Sequence, residues 1–251
     1  MKIGILINAR MGSKRLKDKH FMKIGNTLCI NWLIKRLINE FSFEIKDKII
    51  ELFLATGSKN LNLKFDDLKN YTKVFYGSDF NIPMRHLELA SKYKLTNIIC
   101  IDGDDILCSM KAARDVFDQL NNKKCFIKTI GLPIGMNVLA YSSVFLKQCL
   151  SQKNYKILET GWPRIFNESY LHIINYKTKI NSQPNLRFTL DYLEDFDFFK
   201  KVILYFGEDI INQTDENIIN YVVRSKAYLL NSHLNDEYWN NFSNAMQNEN
   251  L

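Results

Sequence analysis

Near its start the chain passes from Ile3-Gly4-Ile5-Leu6-Ile7 straight into Asn8-Ala9-Arg10-Met11-Gly12-Ser13-Lys14-Arg15-Leu16-Lys17-Asp18-Lys19, an apolar run followed at once by dense positive charge. Branched apolar residues without polar alternation fit a short strand covered on both faces, as in a parallel sheet between helices. In such open sheets ligands bind just beyond the carboxyl ends of the strands, so the loop after this strand is placed to meet one. Gly12 and Ser13 can offer backbone N–H groups, and Arg10, Lys14, Arg15 and Lys19 can neutralise a polyphosphate. The spacing excludes two familiar phosphate loops. A P-loop needs two glycines separated by four residues before Lys and Ser or Thr, and a dinucleotide fingerprint needs three glycines, whereas this loop has one. A bare helix N-terminus would not need so many cations. From charge alone a solvated basic surface is an equal reading. The order Ala-Arg-Met-Gly-Ser-x-Arg-Leu directly after a strand favours the phosphate site.

With 251 residues and 46% hydrophobic content, the chain can bury the core of one large α/β domain, alone or with a small appendage. A net charge of +7 suits nucleic acid, an anionic surface or a phosphorylated small molecule alike. No long Lys/Arg tract or aromatic–basic repeat supports a nucleic-acid partner. No apolar run approaches a membrane span and no leader precedes the first strand, so a cytoplasmic protein without a membrane partner is expected. Cys29, Cys100, Cys108, Cys125 and Cys149 are odd in number and lack a C-x-x-C pair, against a disulfide framework or a zinc site.

Periodicity predicts a helix over Thr27–Phe41 capped by Asn26 or Thr27, a strand over Ile49–Thr56, a strand over Lys73–Tyr76, and a helix opened by Pro83 and ending near Lys94. A buried strand over Asn97–Ile101 ends in Asp102-Gly103-Asp104-Asp105. Three carboxylates at a strand mouth repel one another unless a cation or several donors sit among them. Mg²⁺, a hard ion held by one or two carboxylates plus phosphate oxygens, is the cation expected, the alternative being a turn cluster. Further on, the pattern predicts a helix over Lys111–Asn121, strands over Cys125–Thr129 and Met136–Tyr141, and a helix capped by Ser142 or Ser143. Strands over Leu171–Tyr176 and Leu186–Leu190 follow, the latter ending at Asp191, with Glu194 and Asp195 opening a helix through Ile203. The last forty residues read as one or two short helices, and Asn241–Leu251 as a frayed polar end. His20, His86, His172 and His233 show no ligand spacing and read as structural.

Asn8 to Leu16 together with Lys19 resembles the opening signature of the cytidylyltransferases that make CMP-activated acidic sugars, the CMP-KDO and CMP-sialate synthetases. The branch named after spore coat polysaccharide biosynthesis protein F is the nearest in pattern. The resemblance implies a three-layer, Rossmann-like α/β nucleotidyltransferase fold of GT-A-like type, with a mostly parallel sheet and a small inserted subdomain. It implies that Asn8, Ala9, Arg10, Gly12, Ser13, Lys14, Arg15 and Lys19 bind the CTP triphosphate, with Arg10, Arg15 and Lys19 catalytic. Thr56, Arg85 and Asp102 would contact or support the nucleotide. Arg187-Phe188-Thr189-Leu190-Asp191-Tyr192-Leu193-Glu194-Asp195 resembles the family's Arg-Trp-Thr-Val-Asp-Thr-Pro-Glu-Asp, which makes Asp104 and Asp191 the metal-binding pair for Mg²⁺.

Departures are local. Lys17 and Asp18 stand where the family has Pro-Gly, Asp105 and Ile106 stand where a proline is usual, and Leu193 replaces another. The segment Ile157–Asn167, with Glu159, Trp162 and Arg164, lies where relatives carry Glu-His-Val-Thr, and Asn137 lies where acidic residues are common. The implied organisation is a single domain over 1–251, with 130–180 as acceptor and dimerisation subdomain and 207–251 as a helical extension. The implied activity is Mg²⁺-dependent transfer of CMP from CTP to an acidic sugar or related acceptor, releasing pyrophosphate, for surface polysaccharide, in a homodimer. Two alternatives remain: a GT-A type glycosyltransferase, since Asp102-Gly103-Asp104 also fits Asp-x-Asp, and an inactive nucleotide-binding homologue.

Overall fold

The computed structural model describes residues 1–120, 125–152, 156–166, 168–176, 185–247 and 249. The first half of the chain contains β1 Ile3–Asn8, β2 Lys23–Ile24, β3 Thr27–Leu28, α1 Cys29–Glu40, α2 Ser42–Lys46, β4 Ile50–Thr56, α3 Lys59–Asn62, β5 Lys73–Tyr76, α4 Ile82–Tyr93 and β6 Asn97–Asp102. The second contains α5 Met110–Gln119, β7 Phe126–Ile130, β8 Leu139–Ser142, α6 Ser143–Ser151, β9 Leu171–Asn175, α7 Leu193–Phe206, α8 Asp215–Arg224 and α9 Asn235–Gln247.

Seven strands form one sheet in the order β5-β4-β1-β6-β8-β7-β9, parallel throughout except for β8, which is antiparallel to both β6 and β7. Strand β1 shows why the sheet is covered twice. Ile3, Ile5 and Ile7 are fully buried in one apolar cluster with residues of α1, α5, α7 and α8, while Leu6 is fully buried in a second cluster with residues of α4 and α6. A strand with helices on both sides has no solvent face to make polar, and each such buried side chain contributes about 1.5–3 kcal/mol. Helix starts are set by side-chain caps. Asn81, Ser109 and Ser142 accept from the backbone N–H groups of Met84, Ala112 and Phe145.

Four expectations are corrected. The first helix begins at Cys29, because Thr27 and Leu28 pair with Lys23 and Ile24 in a small hairpin closed by Gly25 and Asn26; neither Asn26 nor Thr27 caps it. The strand expected from Met136 begins at Leu139, since Met136 N–H turns back to the Pro133 carbonyl. Leu186–Leu190 is extended and buried but joins no ladder; Arg187 makes one isolated bridge to Ile134. Extended backbone that crosses between elements carries the same apolar signature as a strand, so the pattern could not separate them. Asn241–Gln247 is not frayed but is the second half of α9. Of the expected elements, Asn121, Asn167, Asn248, Asn250 and Leu251 lie outside the described residues, as do 153–155 and 177–180 of the 130–180 region.

Candidate active site

Asn8 and Asp102 end neighbouring parallel strands and lie opposite each other in the register of β1 and β6. Their loops therefore meet. Together they wall a cleft of about 860 Å³. Asn8, Ala9, Arg10, Gly12, Ser13, Lys14, Arg15, Lys19, Arg85, Asp102, Asp104 and Asp191 all line it. Thr56 does not: it is fully buried at the end of β4, with its hydroxyl lacking a hydrogen-bond partner. Arg85 is buried as well, and its guanidinium donates to the carbonyls of Ser78 and Asp79, tying down the loop after β5.

Gly103 is what lets the two strand ends close. Its N–H donates to the Asn8 carbonyl at 2.6 Å, and a Cβ there would stand 2.9 Å from that oxygen and 3.0 Å from the Ala9 side chain. Asp18, at the position where the resembled signature has glycine, keeps glycine's left-handed backbone, with φ 52°. Aspartate tolerates that region better than most residues, so the loop holds Lys19 in place without the glycine.

Asp102, Asp104 and Asp105 each offer a carboxylate oxygen within 4.8 Å of the others. Such hard oxygen donors at one strand mouth fit Mg²⁺. Burial first, and the charge of Asp104 second, raise Asp102 to about 6, although the residue opens onto the cleft. Asp105 is raised well above the usual carboxylate range by the same two influences.

Asp191 stands apart from that trio and is joined to Asp104 by Lys19. The Lys19 amine, on a residue 8% exposed, lies 2.6 Å from Asp104 Oδ2 and 3.1 Å from Asp191 Oδ1. Burial opposes the charge of Lys19, but the two carboxylates outweigh it and raise the amine's pKa. Burial would likewise raise Asp191; Lys19, then Arg15 and Arg187, override it and hold the carboxyl at about 2. Arg15 reaches Asp191 Oδ1 at 2.7 Å and lies over the Tyr192 ring. The pair assigned from sequence as metal ligands is thus held together by a buried ammonium between them.

Behind the cleft, His86 is fully buried and bonds Asn8 Oδ1 through Nε2 and the Tyr141 hydroxyl through Nδ1. This orients the Asn8 amide to donate to Asp102 Oδ1 at 3.1 Å. The histidine read as structural therefore supports a residue of the site. The Asp191 side is held by Asp195, whose carboxylate accepts the backbone N–H of Asp191 and pairs with Arg187.

Several lining residues were not assigned from sequence: His20, Ile82, Glu159, Thr160, Glu237 and Asn241. Glu159 accepts from Arg10, a contact across 149 positions that no local spacing signals. A second compartment of about 270 Å³ adjoins the cleft, sharing Arg15, Asp104 and Asp191 and adding Asp105, Gly135, Trp162, Thr189, Tyr238, Phe242 and Ala245. Asn137 does not line it; its amide donates to the carbonyls of Leu132 and Pro133 and shapes the preceding turn.

A family described as cytidylyltransferase matches residues 4–217. The uncharacterized protein MJ1063 of Methanocaldococcus jannaschii is 28% identical over 238 residues, covering 88% of this chain and 90% of that one. Spore coat polysaccharide biosynthesis protein SpsF of Bacillus subtilis is 25% identical over 222 residues, covering 82% and 88%. Among solved structures, a cytidylyltransferase from Leptospira borgpetersenii superposes with a TM-score of 0.76 at 23% identity, covering 92% of this chain and 98% of that one, a likeness of fold.

Proposed function

Because this chain belongs to the cytidylyltransferase family, we propose that it transfers CMP from CTP, with Mg²⁺, to a hydroxyl of an acidic sugar or related small acceptor. Pyrophosphate is the leaving group. A role in surface polysaccharide synthesis, a homodimer and a cytoplasmic setting belong to the same proposal. No described helix is long and apolar enough to cross a membrane.

The observation that carries the reading is the convergence of the Arg10–Lys19 loop and the Asp102–Asp105 cluster on one cleft. Arg10, Lys14, Arg15 and Lys19 would bind the triphosphate, with Asn8, Ala9, Gly12 and Ser13 shaping the loop around it. Among these, Arg10, Arg15 and Lys19 would stabilise charge on the α-phosphate and the departing pyrophosphate. Asp104 and Asp191, the pair the resemblance implies, would hold Mg²⁺ in place of the Lys19 ammonium that lies between them, with Asp102 beside them. The ion supplies Lewis-acid charge neutralisation of phosphate oxygens. Little covalent work is left for the protein, so the barrier falls by positioning the acceptor oxygen in line with the α-phosphorus. The smaller compartment supports an acceptor of monosaccharide size, next to the carboxylates and walled by Trp162, Tyr238 and Phe242. The cationic loop distinguishes this from a glycosyltransferase reading of Asp102-Gly103-Asp104.

The test is pyrophosphate release with Mg²⁺ and each of the four nucleoside triphosphates, against ketoacid sugars of the KDO and sialic-acid type and phosphonate acceptors. Release with CTP alone, lowered by about 100-fold or more in Asp104→Asn, is the expected result. Near-normal release by that variant would remove the metal assignment. No release with any nucleotide would leave the inactive-homologue reading standing.

A further inference from the structure

The last helix is fixed to the site at both ends. At its start, Asn235 donates to the Asn185 carbonyl at 3.0 Å, and Tyr238 lies 4.6 Å from the Arg187 guanidinium. Tyr192 donates to Glu237 at 3.0 Å and accepts from Asn241 at 3.1 Å, so α9 from Asn235 to Asn241 grips the segment that carries Asp191. Just beyond its end, the Glu249 carboxylate reaches the opposite wall. It accepts from three successive backbone N–H groups, Glu159 at 2.8 Å, Thr160, and Gly161 at 2.9 Å, and from Arg164 at 3.3 Å.

Glu249 is 7% exposed. A carboxylate taken out of water needs such donors, and amides so engaged are held in one geometry. The loop it holds is also anchored at its flanks. Leu158 bonds Phe80 and Ile82 through its backbone, and Trp162 packs edge-on against His86 and Tyr141. Between these anchors the backbone N–H groups of 159–161 are engaged by Glu249, while the Glu159 side chain engages Arg10 of the cationic loop. Thr160 lines both compartments. The helix between these two grips presents Tyr238, Asn241, Phe242 and Ala245 to the smaller compartment.

We infer that α9, Asn235–Gln247, is the acceptor-side wall of this site and that Glu249 is a positioning residue, holding the Glu159–Gly161 loop beside the acceptor. The inference rests on the proposed cytidylyl transfer, but its first readout does not. In Glu249→Ala, amide hydrogen exchange at Glu159, Thr160 and Gly161 rises about tenfold or more, while exchange in β1 and α1 stays as in wild type. Glu249→Asp restores part of the protection. CTP affinity stays within about twofold, because the loop from Arg10 to Lys19 gives up at most the exposed Arg10–Glu159 pair, and the KM for the ketoacid sugar that supports pyrophosphate release rises about fivefold with kcat little changed. Unchanged exchange in the Ala variant would overturn the latch. Faster exchange with an unchanged acceptor KM, or with weakened CTP binding instead, would overturn the positioning role. If wild type releases no pyrophosphate from CTP with any acceptor, the transfer reading and the acceptor role fall together, and the exchange result alone decides whether Glu249 holds the loop.

Discussion

Asp195→Asn probes how the Asp191 side of the cleft is held. Arg187 and Asp195 form an ion pair with both side chains at 0% exposure. Asp195 Oδ1 accepts from Arg187 Nε at 2.9 Å and Asn231 Nδ2 at 2.9 Å. Its Oδ2 accepts from Arg187 Nη2 at 3.2 Å and from the backbone N–H groups of Asp191 at 2.9 Å and Tyr192 at 3.0 Å. Asparagine keeps the shape but turns one oxygen into an NH₂ group, so whichever way it rotates at least two of these donors face another donor. Removing one partner of a buried pair costs about 3–5 kcal/mol. Arg187 retains Asp191 Oδ2 at 3.0 Å, so the lower end applies. About 3 kcal/mol in a chain of this size lowers Tm by about 10 °C. Thermal and urea unfolding followed by circular dichroism read this directly. A double change, Arg187→Met with Asp195→Ala, leaves no unpaired charge and should be less destabilised than the sum of its singles by about 1 kcal/mol or more. An Asn variant melting within about 2 °C of wild type, or strictly additive singles, would refute the buried-pair argument.

Two other outcomes follow from single residues. Burial first, and the charge of Lys19 second, lower His20 to about 4. The unfolded chain, with an ordinary histidine, then binds a proton that the folded one refuses, so this stability is complete above about pH 6.5 and lost as pH falls toward 4. At about 1.4 kcal/mol per pH unit the loss reaches about 3 kcal/mol, and His20→Phe should flatten that part of a stability–pH curve; an unaltered curve would refute it. Gly135 has φ 84°, and a Cβ there would stand 2.2 Å from the Phe188 carbonyl. Gly135→Ala should therefore cost about 2 kcal/mol or more in urea unfolding, and a cost below about 0.5 kcal/mol would contradict the close approach.

The part of the site that was legible in the sequence is the part that local chain geometry builds. Ile3–Asn8 and Asn97–Asp102 are buried parallel strands, and wherever they pair their following loops must emerge at one edge. That is why Arg10, Arg15, Lys19, Asp102 and Asp104 could be assigned to one cleft before any coordinates. Asp191 was legible as a carboxylate in a resembled segment, but not as one joined to Asp104 through a buried lysine. Thr56, read from sequence as lying by the nucleotide, is buried at the end of β4, and a polar residue at a strand end reads the same whether it faces a ligand or the interior.

What only the tertiary structure decided is held by contacts between distant positions. Glu159 meets Arg10 across 149 residues, and Glu249 meets Glu159–Gly161 across 88 to 90. The polar composition of Asn241–Leu251 reads as a frayed end, because low hydrophobicity alone gives no reason for order. Order over Asn241–Gln247 and at Glu249 comes from one face of α9 packed over the site and one carboxylate that finds four donors elsewhere in the chain. Periodicity and motif spacing report what neighbours along the chain do to one another; the register of a sheet and the partner of a buried charge are set by energies that exist only once the chain has closed on itself.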